Sequence, residues 1–113
     1  MINVITNQFD TTLTLRVVGH AGQSEKGSDI ICASVSILVY AVAECVGRMY
    51  EKDKLKGAPE VDLKEGNAEI VMNVKSKHFN EALHKFEVAI AGFELLSENY
   101  PDYITTFNSL KKA

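Results

Sequence analysis

Cys32 and His20 are a thiol and an imidazole near each other in sequence, the side-chain types of a nucleophile and its base. A thiolate attacks carbonyl carbon well, but it needs a base or a cation nearby to form at neutral pH. Between them runs the polar stretch Gly22-Gln23-Ser24-Glu25-Lys26-Gly27-Ser28. Its glycines are backbone hinges, so it can double back and bring the histidine to the thiol. Loops of this kind beside a nucleophile can act as lids over substrate; a plain strand-to-helix connection would have the same composition. Asp29, Cys32 and Ser36 stand at helical offsets of three and four and so share one helix face. Asp29 could orient the imidazole or cap the helix, and Ser36 could hydrogen-bond the thiol or a substrate carbonyl. The plainer reading of Cys32 is a small buried hydrophobe, which free cysteines usually are.

These side chains need a strand that ends at His20 and a helix that begins just before Cys32. Leu13, Leu15 and Val17 alternate with Thr12, Thr14 and Arg16, the period of a strand with one buried face. Together with the β-branched run at residues 2–6 they predict a hairpin around Asn7-Gln8-Phe9-Asp10. Ser28 or Asp29 is a natural N-cap, and every residue from there to about Tyr50 tolerates helix. If the helix starts near Asp29, Cys32 falls in its first turn. Helix N-termini are a recurrent setting for reactive thiolates, and their free amides are candidate oxyanion donors. The run from Ile30 to Val46 has almost no polar face, which predicts a helix buried most of the way round and central to the domain.

Beyond Gly57-Ala58-Pro59, residues 60–64 and 68–74 flank the turn Glu65-Gly66-Asn67, a second hairpin. Ser76 is a candidate cap for a second helix over 79–99. Its apolar positions Phe79, Leu83, Phe86, Ile90, Phe93 and Leu96 recur at helical spacing. That stripe reads as core, or in part as a dimer face. Pro101 stops the helix, Tyr103 to Phe107 reads as a last strand, and Lys111-Lys112-Ala113 reads as a loose tail. The order is β-β-α-β-β-α-β, an α+β fold in which a mostly antiparallel sheet packs with two helices. The 113 residues suffice for one domain with its own core.

Composition excludes several functions. A net charge of −3 without a Lys/Arg block argues against nucleic-acid binding. The start lacks the basic and apolar regions of a signal peptide. The uncharged run from Ile30 to Ala43 is shorter than the roughly 18–20 residues that span a bilayer. The expected compartment is therefore the cytoplasm, with both cysteines as thiols. On a helix Cys45 would lie about 20 Å from Cys32, beyond the roughly 7 Å reach of a disulfide, and it reads as a core filler. His78 and His84 lack metal-ligand spacing, so neither a metal nor another cofactor is expected.

The stretch Gly19-His20-Ala21, the loop, then Asp29-Ile30-Ile31-Cys32-Ala33-Ser34-Val35-Ser36 resembles the ribosomal-processing cysteine proteases, the Prp family. The family pattern has valine where Ile31 stands and alanine where Ser34 stands. The element order and the apolar helix are similar to the family as well. The resemblance implies that His20 and Cys32 are the catalytic pair, with Asp29 and Ser36 supporting them and Gly19 required structurally. It further implies that residues 22–28 close over substrate. The family's members are cytoplasmic homodimers that remove a short N-terminal extension, after an aromatic residue, from a large-subunit ribosomal protein. The expected activity is thus peptide-bond hydrolysis by Cys32 with His20 as base and acid. The competing reading is a non-catalytic dimeric α+β module that binds ribosomal or other basic proteins around an inert thiol. A redox sensor at Cys32 is weakened by the lack of a resolving cysteine within reach.

Overall fold

The computed structural model of the protein describes residues 1–22 and 28–110, with only the backbone of Ser28 and Asp29. The expected loop residues Gln23, Ser24, Glu25, Lys26 and Gly27, and the expected tail 111–113, lie outside the described residues. Five strands and two helices follow the expected order: β1 (Ile2–Phe9), β2 (Thr12–Gly19), α1 (Ser28–Glu51), β3 (Glu60–Lys64), β4 (Asn67–Asn73), α2 (Phe79–Asn99) and β5 (Ile104–Ser109).

The alternation along β2 puts Leu13, Leu15 and Val17 on one face, paired in register with Gln8, Thr6 and Val4 of β1. On the other side of β2, Leu13 meets Met72 and Leu15 meets Ile70 of β4. The sheet runs β3-β4-β2-β1-β5; β1 and β5 pair in parallel and the other neighbours are antiparallel. Both helices supply the cover for this face. Ile31, Val35, Val39, Val42, Val46 and Met49 of α1 join Leu83, Phe86, Ile90 and Phe93 of α2 in the buried core. The two helices also meet each other, where Gly92 faces Leu38 so closely that an added methyl would come within 3.0 Å of it.

Several expectations change at this level. β1 continues through Asn7, Gln8 and Phe9, so the first turn is only Asp10-Thr11, with Asp10 at φ +53°. Ser76 opens a short 3-10 turn instead of capping α2, whose N-cap is His78, without a side-chain cap bond. The apolar stripe of α2 faces inward: Leu83, Phe86, Ile90 and Phe93 are buried in the core, and Phe79 and Leu96 pack half-buried against it. The largest difference is in α1. It is buried along one stripe only, while Ile30, Ile37 and Tyr40 are exposed at 67%, 65% and 56%. A five-stranded sheet and one neighbouring helix cover roughly half of a helix's circumference, and nothing else described packs on the remainder. The helix stays apolar past Glu44 and Arg48, so by length and composition alone Ile30–Glu51 reaches what a membrane crossing requires. A helix packed on a sheet passes the same test.

Candidate active site

His20 follows the last residue of β2, and its backbone is held from both sides. Gly19 N donates to the carbonyl of Gly66 at 2.9 Å, and the Met1 nitrogen donates to the carbonyl of His20 at 2.6 Å. Gly19 has φ +106°, and a side chain there would run into the Met1 carbonyl oxygen. Only glycine meets both demands, so the exit from β2 that turns His20 toward the helix layer depends on this residue.

Cys32 is the fifth residue of α1, about one turn from its start. It is half-buried and packs against the core while remaining at the surface of a cleft. That cleft, about 510 Å³, lies between the first half of α1 and the β3–β4 hairpin. His20, Cys32 and Ser36 all line it, with Tyr40 and Leu63 as its large apolar side chains and Gly66 at the hairpin turn. Its volume lies in the range of ligand-binding clefts, enough for side chains of a bound peptide.

The structure therefore brings together His20, Cys32 and Ser36 on one surface, with Gly19 behind them. Within the described residues no hydrogen bond joins His20 to Cys32, or Ser36 to Cys32. The imidazole is exposed and its outer end abuts the hairpin turn: an added methyl on Gly66 would lie 2.5 Å from Nε2 and 2.8 Å from Cε1. The side chain of Asp29, with its expected roles of cap or imidazole partner, lies outside the described residues, and Gly22 is half-buried with φ +107°.

Sequence reasoning missed the far wall of the cleft. Leu63 and Gly66 read as an edge strand and a turn, with no signal linking them to residues more than thirty positions earlier. Tyr40 had a signal, since it stands one i,i+4 step beyond Ser36 along α1. Cys45, by contrast, sits half-buried in a separate apolar groove between the helices, beside Leu38, Met49 and Phe86. No group of three or more potential metal ligands occurs among the described residues.

A sequence profile described as cysteine protease Prp matches residues 1–105. The fold is similar to that of SMU.848 from Streptococcus mutans, with 25% identity over 94% of this chain and 91% of that one, at a TM-score of 0.66. It is also similar to the essential ribosomal processing protease Prp from S. aureus in complex with a substrate peptide. There the identity is 18% over 96% of this chain and 100% of the other, at a TM-score of 0.68. The same S. aureus protease with a covalently linked product peptide matches at 19% identity over 94% and 97% of the two chains, at a TM-score of 0.65. No curated protein matches the chain.

Proposed function

The chain belongs to the family of cysteine protease Prp, and we propose that it is an endopeptidase that removes the N-terminal extension of a large-subunit ribosomal protein in the cytoplasm, with Cys32 as nucleophile and His20 as base and acid. The observation that carries the reading is the shared cleft: a half-buried thiol and an exposed imidazole line one surface large enough for a peptide.

In this mechanism His20 takes the thiol proton and the Cys32 thiolate attacks the scissile carbonyl carbon. The tetrahedral oxyanion that forms is met by amide donors near the start of α1. Its collapse breaks the C–N bond, and His20 gives its proton to the leaving amine. Water, deprotonated by His20, then attacks the thioester and releases the acid with the thiol restored. The imidazole has to move from the hairpin toward Cys32 for the first step, since no hydrogen bond joins them at rest. Ser36, one turn along α1 on the cleft wall, is within the substrate's path and is assigned a supporting contact, as is Asp29 at the helix start. Residues 22–28 are assigned the closure over substrate. Tyr40 and Leu63 offer the apolar surface that an aromatic side chain of the extension would need.

The ribosomal substrate is supported by family membership and by the S. aureus relative, which is described as a ribosomal processing protease. A homodimer is proposed as well. The exposed apolar strip of α1, which includes Ile30 and Ile37, is the surface that supports it.

The test is incubation of purified protein with a synthetic peptide spanning that extension, read by mass spectrometry beside Cys32→Ala. One cut that vanishes in the variant is the expected result. A cut that persists in Cys32→Ala would remove Cys32 from the mechanism.

A further inference from the structure

We infer that Gly66, in the β3–β4 turn, is a positioning residue for His20: the missing side chain at this turn is the space into which the imidazole fits. The inference rests on the protease reading, in which His20 is the base. Two independent contacts join the turn to the histidine. The Gly66 carbonyl accepts from Gly19 N at 2.9 Å, which fixes the backbone one residue before His20. The α-carbon of Gly66 faces the outer end of the ring, and a methyl group there would stand 2.5 Å from Nε2, 2.8 Å from Cε1 and 3.4 Å from Cδ2. Real methyl contacts are not that short, so any side chain at 66 displaces the ring.

The consequence is a specific division of labour. The hairpin supplies no group to the chemistry, yet it decides where the imidazole stands along the cleft and how far it travels to Cys32. Gly66 also has φ +75°, so two reasons for glycine coincide at this turn and have to be separated. Asparagine tolerates such a backbone and still carries a β-carbon. Gly57, at φ +149° with nothing near its missing side chain, is the opposite control: backbone strain with no neighbour.

The experiment compares wild type, Gly66→Asn, Gly66→Ala, Gly57→Ala, His20→Ala and the double variant His20→Ala/Gly66→Asn. Circular dichroism checks the fold. The readouts are peptide cleavage and the pH dependence of iodoacetamide alkylation at Cys32, followed by mass spectrometry. Both Gly66 variants are expected to lose roughly tenfold to a hundredfold in kcat, with KM little changed. Their alkylation profiles should move toward that of His20→Ala, while Gly57→Ala keeps both. In the His20→Ala background, Gly66→Asn should change the alkylation profile no further. A folded Gly66→Asn with wild-type cleavage and profile overturns the inference, as does an equal effect of Gly66→Asn with and without His20. If His20→Ala itself leaves the wild-type profile unchanged, the base assignment fails, and the positioning role fails with it.

Discussion

The carbonyl oxygen of Met1 occupies the space that a side chain on Gly19 would need, at the point where β2 ends and His20 begins. Gly19→Ala has to push β1 away from β2 and adopt φ +106° with a β-carbon. The backbone strain alone costs about 1–3 kcal/mol, and the steric overlap adds to it. A lowered thermal midpoint and impaired cleavage are expected together. An unshifted midpoint would show that the β1–β2 end relaxes without cost.

The two thiols should behave differently. Cys32→Ala is expected to abolish cleavage with little change in the unfolding midpoint, because Cys32 faces a cleft. Cys45→Ala should cleave at the wild-type rate, since its groove between α1 and α2 is separate from that cleft. Peptide cleavage assays on both variants, with thermal melts, check this. Loss of activity in Cys45→Ala at unchanged stability would contradict it.

Glu81 gives the fold an acid-sensitive contact. Hydrogen bonds from Lys54, at 2.8 and 2.9 Å, and from Lys85, at 3.1 Å, lower its pKa from 4.5 to about 2, against the opposing effect of burial. A carboxylate with a depressed folded-state pKa stabilises fully above its unfolded value, and the gain disappears as pH falls through the folded one. The contribution is therefore complete above about pH 4.5 and lost toward pH 2. Glu81→Gln should reduce stability at pH 7 and flatten the pH dependence between those limits, measured by urea unfolding. Partial exposure of both partners keeps the effect modest. An unchanged slope in Glu81→Gln would mean the pair contributes nothing.

Ile37 tests the assembly. Ile37→Glu puts a charge in the exposed apolar strip of α1 and is expected to shift the protein toward monomer in sedimentation velocity. Val88→Glu, at an exposed position of α2 on the rim of the groove between the helices, should leave the assembly as it was. A reversed pattern would move the interface to α2.

Element types and order were legible because they follow local rules. The alternation at Leu13, Leu15 and Val17 needs a strand, the spacing from Leu83 to Phe93 needs a helix, and Pro101 needs a stop. Boundaries at turns were less so. Whether Asn7, Gln8 and Phe9 form a loop or extend β1 depends on pairing across the hairpin with Thr14, Leu13 and Thr12 of β2, to which β5 adds only Ser109 opposite Asn7.

Sequence by itself determined the family signature, the thiol near a helix start and the histidine at a strand end, since each is a matter of residue type and neighbouring spacing. Tertiary structure alone decided that the β3–β4 hairpin closes the cleft, that Gly66 borders the His20 ring, and that one side of α1 stays uncovered. Those facts depend on strand order and on how far a sheet reaches over a helix. Such relationships join residues distant along the chain, and no local pattern of apolar and polar side chains encodes them.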